Sequence, residues 1–241
     1  MPLPTVATPT YELKLPSSNK KIKYRPFLVK EEKVLIIALE SKSQSEITNA
    51  VKDVLKQCIL TKGVDVDDLP TFDIEYIFLN IRAKSIGEAI NVRVTCPDDG
   101  ETEIPVTVYV DEIKVVKSKD HKTDIVLDDK MTLRMKYPSL NQFIDDNFEV
   151  EDEPETVVDK TFKIVADCMD TVFTKEDAWD AKDYTPDERL KFVEQLSSKQ
   201  YKQVEKFFAT MPKLSHTIEV VNPNTKEKGS VVLEGLANFF G

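Results

Sequence analysis

Two histidines, His121 and His216, and three cysteines, Cys58, Cys96 and Cys168, are the side chains of this 241-residue chain best suited to nucleophilic or general-base chemistry near neutral pH. A Cys–His or Ser–His mechanism needs a base beside the nucleophile, held by a third group. Neither histidine has a flanking motif of that kind: His121 stands in the polar run KSKDHKTD, and His216 opens an alternating run. Both read as structural or solvent-exposed histidines. Cys58 falls on the apolar stripe of a helical pattern, the place of a core thiol. Six glycines form neither G-x-G-x-x-G nor G-x-x-x-x-G-K, so no nucleotide cofactor has a site, and no cofactor is assigned.

The fragment Cys96-Pro97-Asp98-Asp99-Gly100 has the form of one knuckle of a zinc ribbon, with Asp99 at the second cysteine position. Four ligands would require a second knuckle, and only His216 offers itself near the C-terminal hairpin. A metal-free hairpin turn accounts for the residues, and no metal site is assigned. With 43 carboxylates, accidental acid pairs are inevitable. A metal- or carboxylate-dependent enzyme built on Cys96, Asp98 and Asp99 is the remote alternative to a chain that is no enzyme at all.

The elements that would position such groups follow from patterning. The chain is 41% hydrophobic and 32% charged with a net charge of -10, a globular composition that disfavours nucleic-acid phosphates as partners. Three scattered cysteines exclude a disulfide framework. No run approaches the ~18 apolar residues of a membrane span, and the first residues lack a signal-peptide pattern, so an intracellular protein is expected. Residues 1–10, with three prolines, read as a flexible arm, and 11–25 as a β-hairpin with Lys21, Lys23 and Arg25 on one solvated face. Val34 to Leu39 is apolar all round and reads as a buried helix. Ser43 and Glu46 have capping-box spacing before an amphipathic helix that ends at Gly63.

In residues 69–88, LPTFDIEYIFLNIRAKSIGE, an advance of about 100° per residue places Phe72, Tyr76, Leu79 and Ala83 on one side. Ile74, Ile77, Phe78 and Ile81 fall opposite. The polar seams are Glu75 with Arg82, and Asp73 with Asn80 and Lys84. Such a helix lies between two layers, its second face meeting either the rest of the chain or a partner. Two alternating runs around PDDGE predict a hairpin, and DIVLDD with KMTLRMKYP a further pair, closing one small antiparallel sheet over 88–137.

The acidic run 145–155 reads as a linker and 156–241 as helices with a C-terminal hairpin, although the terminal hairpins could unite the whole as one domain. Within it, 155–172 is patterned as helix, Trp179 as a buried anchor, and Thr185, Pro186 and Glu188 as a capping box. The fold class is therefore α+β, with helices in the N-terminal third and in 139–211, and antiparallel β-hairpins at the N-terminus, middle and C-terminus.

The 69–88 segment, the CPDDG hairpin, YRPF at 24–27 and the terminal EGLANFF together resemble the baseplate hub assembly protein family of T-even-type contractile-tailed phages. The resemblance implies a non-enzymatic role in building the central hub, as an assembly chaperone binding hub or tape-measure proteins or as a permanent subunit, located in the host cytoplasm during assembly or in the virion. It lends no catalytic residues. Its signature falls on Phe72, Glu75, Tyr76, Arg82, Lys84 and Glu88, which with the terminal Phe239 and Phe240 are the candidate partner-binding residues, the alternative being a structural core.

Overall fold

The computed structural model describes residues 6–41, 43–139 and 157–235. Along the chain the strands are β1 Tyr11–Lys14, β2 Lys21–Tyr24, β3 Ala89–Thr95, β4 Glu103–Tyr109, β5 Lys114–Val116, β6 Asp124–Val126, β7 Thr132–Met135, β8 Met169–Phe173, β9 Ala178–Asp180, β10 Lys213–Val221 and β11 Lys228–Glu234. The helices are α1 Val29–Ser41, α2 Gln44–Cys58, α3 Thr71–Ile86, α4 Val157–Asp167, α5 Pro186–Glu194 and α6 Ser198–Thr210. This is an α+β fold, and its sheets are antiparallel throughout the described residues.

Two compact units divide the chain, one formed by Met1–Val116 with Lys213–Gly241 and the other by Lys117–Pro212. In the first, the expected N-terminal hairpin pairs Tyr11 with Tyr24 and turns through Asn19, whose φ of 56° is left-handed. Ile22 and Tyr24 point inward while Lys21 and Lys23 are exposed, the alternation of a half-buried strand. Strands β3 and β4 form the hairpin read from the sequence, with Gly100 in its tip at φ 68°. A three-stranded sheet has the order β11-β10-β5. The core joins Leu79 and Ala83 of α3 to Ile90, Val92 and Val94 of β3, and to Leu214, Ile218 and Val220 of β10. One face of α3 therefore lies on the strands. The opposite residues Ile74, Ile77, Phe78 and Ile81 are buried as well, and α2 is a neighbouring helix. Both predicted layers belong to the chain itself, and Gly87, with φ 123°, ends the helix where expected.

Two helices depart from the expectation. α1 forms, but only Glu31, Leu35 and Ala38 of it are buried, while Val34, Ile36, Ile37 and Leu39 stand open. An apolar run has no polar stripe to mark its solvent side, so periodicity could not show which face is covered. α2 is capped by the Ser43 hydroxyl, which accepts from the Glu46 N–H at 3.4 Å, and it ends at Cys58 instead of Gly63 because Ile59 turns extended and bridges to Tyr24.

The second unit is built on a four-stranded sheet of order β6-β7-β8-β9. Strands β6 and β7 pair as read, Ile125 opposite Leu133, but they join no sheet with β3 and β4, which form a two-stranded sheet of their own. Their further partner is β8, drawn from the stretch patterned as helix: α4 stops at Asp167, and Met169–Phe173 pairs with β7. Val165, Cys168 and Val172 all enter one core with Val193, Val204 and Phe207 of α5 and α6. Three inward apolar residues satisfied the helical count, although the last sits on a strand. The Thr185 capping box with Pro186 forms as expected, and Ser197 with Gln200 makes another that went unread. Trp179 is 39% exposed on the short strand β9 instead of buried. Residues 145–155, read as an acidic linker, lie outside the described residues.

Candidate partner surface

α3 is held from both ends by side-chain bonds. Asp73, fully buried in its first turn, accepts from the Ser17 N–H at 3.0 Å and from the Ser17 hydroxyl, which ties the helix to the β1–β2 turn. Burial raises the pKa of this carboxyl, and the two bonds from Ser17 counter that in part. In the last turn, the Ser85 hydroxyl donates to the Ile81 carbonyl at 2.6 Å and accepts from the Phe27 N–H at 2.9 Å.

The signature residues divide between this core and the surface. Phe72 is buried. Glu75 is half-buried, with its Oε1 3.4 Å from where a Cβ on Gly235 would stand, so the helix touches the start of the EGLANFF segment. Arg82 is half-buried, and its Nη1 is enclosed without a hydrogen bond. Burial lowers its pKa. Phe239 and Phe240 lie outside the described residues.

Tyr76, Lys84 and Glu88 instead share one open groove of about 610 Å³, whose walls include Lys14 and Asn19 of the N-terminal hairpin and Lys114 of β5. Lys84 donates to Glu88 at 2.6 Å, and its ammonium lies 5.7 Å from the centre of the Tyr11 ring. The bond to Glu88 raises the pKa of Lys84 and lowers that of Glu88, so both are charged near neutral pH. The Asn80 amide donates to the Tyr76 carbonyl at 2.8 Å. The groove thus mixes apolar residues such as Leu15, Val110 and Ile113 with charges of both signs, Lys14, Lys84, Glu88, Asp111 and Lys114.

The CPDDG tip meets the β10–β11 turn. Asn222, 1% exposed, donates its amide to Asp98 at 3.1 and 3.0 Å and to Asp99 at 2.7 Å. The Thr225 hydroxyl donates to Asp98 at 2.6 Å, and the Thr102 hydroxyl to Asp99 at 2.5 Å. Donation from Thr225 and Asn222 lowers the pKa of Asp98, and donation from Thr102, first of all, holds that of Asp99 far below the carboxylate range. Pro97 lies against β11 at Gly229, where an added Cβ would stand 2.6 Å from its ring. Two hairpin tips are therefore clasped by hydrogen bonds at the place where a zinc ribbon would use metal. Among the described residues no His, Cys, Asp or Glu group is arranged to hold a metal ion. Asn222 and Thr225 escaped the sequence reading, although N-P-N-T facing a D-D turn was the available signal.

The cysteines and His121 lie inside the fold. All three cysteines are buried, and burial pushes the Cys58 thiol up to about 11. His121 is 7% exposed, 3.0 Å from both Thr210 Oγ1 and the Tyr137 hydroxyl, and burial lowers its pKa. Exposed Trp179 and Tyr184 border a cavity of about 400 Å³ in the second unit, with Met131, Met169 and Phe192 also in its walls. No helix among the described residues is long and apolar enough to cross a membrane.

Comparison with curated proteins and with solved structures gives no match. The family model described as T4 bacteriophage base plate protein matches residues 8–241, which takes in both compact units, the α3 signature and the clasped hairpins. The chain accordingly belongs to the T4 bacteriophage base plate protein family.

Proposed function

We propose that this base plate protein works without catalysis in the assembly of the central hub, as a chaperone that holds a segment of a hub or tape-measure protein. The observation that carries the reading is the convergence of Tyr76, Lys84 and Glu88, half of the α3 signature, on the open groove beside the N-terminal hairpin. Membership of a base plate family favours a second reading, in which the chain stays in the virion as a permanent subunit of the hub.

Quantitative mass spectrometry of mature tails beside the infected-cell lysate separates the two. A chaperone is abundant in lysate and absent from tails; a subunit is retained at fixed low copy number. Affinity capture with wild-type protein and with Lys84→Glu then tests the groove: the variant is expected to fold normally and to lose most of the captured hub or tape-measure protein. Equal capture by both would remove the groove from the mechanism.

A further inference from the structure

α1 carries an apolar surface that the fold leaves open. Leu28, Val29, Val34, Ile36, Ile37 and Leu39 are 41 to 80% exposed, all within twelve residues, whereas Glu31, Leu35 and Ala38 face inward. At 100° per residue, the line opposite Leu35 and Ala38 runs through Val29, Lys33, Ile36, Ile37 and Glu40. Lys33 and Glu40 are exposed, and neither makes a hydrogen bond or ion pair among the described residues. Seven residues apart, they stand about 10 Å from one another along the helix, too far to pair within one chain.

This arrangement is self-complementary. A two-fold axis passing between Ile36 and Ile37 sets a second α1 antiparallel on the first, with Ile36 opposite the partner's Ile37. It also sets Lys33 opposite the partner's Glu40, and Glu40 opposite the partner's Lys33, so both unpaired charges are matched by one operation. A partner of single-sign charge would satisfy one residue and repel the other. We propose that the outward face of α1 is a homodimer interface, in which two copies of this chain pack α1 antiparallel around Ile36 and Ile37 with reciprocal Lys33–Glu40 ion pairs. This goes beyond the chaperone reading and uses none of the groove residues.

The test is sedimentation equilibrium on the full chain. Wild-type protein is expected to show a concentration-dependent dimer, and Lys33→Glu and Glu40→Lys should each weaken it by about tenfold or more, since each places like charges opposite one another. An equimolar mixture of the two variants restores the dimer, because every Lys then faces a Glu. Both positions are exposed, so circular dichroism should show unchanged folding; if either reversal disturbs it, Lys33→Gln and Glu40→Gln are used instead, each expected to weaken the dimer. A wild-type chain that stays monomeric to about a hundred micromolar overturns the proposal, as does a dimer indifferent to the substitutions or a mixture of folded variants that stays monomeric.

Discussion

Glu31 is 2% exposed on a helix whose opposite side is open and apolar, an inversion of the usual order for a charged residue. It accepts from Arg25 at 2.9 Å and from the Leu28 N–H at 2.8 Å, with Lys30 at 3.3 Å. Burial pushes its pKa up, but these three donors outweigh burial and leave it below the ordinary value. A depressed carboxyl pKa contributes stability that is complete above the unfolded-state value and is lost as pH falls through the folded one. Glu31→Gln, which leaves Arg25 without its partner charge, is expected to cost about 2 kcal/mol at pH about 7. The gap to wild type should narrow as pH falls through the folded-state value of Glu31, which lies below the ordinary carboxylate value; urea unfolding over an acid pH series measures it. None of this was legible in the sequence. YRPF and VKEEK carry charges of both signs, and only the turn at Leu28 brings one carboxylate of the pair Glu31–Glu32 onto Arg25.

At the scale of elements, α1 and α3 have nearly the same signature, apolar around most of the circumference, and opposite fates. α3 is enclosed on two sides, with Phe78 1% exposed and Ile77 and Ile81 fully buried. Phe78→Ala is expected to destabilise the protein by about 3 to 5 kcal/mol through lost burial and the cavity left behind, whereas Lys84→Ala on the exposed groove should leave stability nearly unchanged. Thermal unfolding of the two variants checks the contrast. The reading of α3 as a two-layer helix was available from its two narrow polar seams. The Val34–Leu39 run of α1 holds no polar residue to mark its open side, and the length of an apolar run says nothing about whether neighbours exist to cover it. The groove proposed for a partner was legible only in part: the 69–88 signature includes Tyr76, Lys84 and Glu88, but their separation from buried Phe72 depends on which way α3 is turned in its bed of strands.

At the scale of the whole molecule, the second unit is an insertion between adjacent antiparallel strands. The first unit is left at Val116 and re-entered at Lys213, and those two residues are register partners in the β5–β10 pair. Replacing residues 117–212 by a two-residue Asn-Gly turn would join the strands as a hairpin without stretching the chain. The shortened protein is expected to fold cooperatively, with the near-UV circular dichroism of a packed core and hydrogen-exchange protection in α3, β3 and β10. Loss of that protection would show that the first unit depends on the insertion. Sequence reading saw hairpins at the middle and the end without seeing that β5 belongs with the last of them, since the pairing spans about a hundred residues and leaves no local mark.

What the sequence determined by itself was local in origin: hairpins with their turn residues, helix starts marked by Ser43 and Thr185, the stop at Gly87, and the burial of Cys58 on an amphipathic stripe. Each depends on contacts within a few residues, which period and turn chemistry encode directly. The tertiary structure alone decided that β8 is a strand, that Asn222 joins the two hairpin tips by hydrogen bonds, and that α1 and Trp179 are left open. Those outcomes depend on which distant surfaces meet, and an apolar residue carries the same pattern whether or not another part of the chain arrives to cover it.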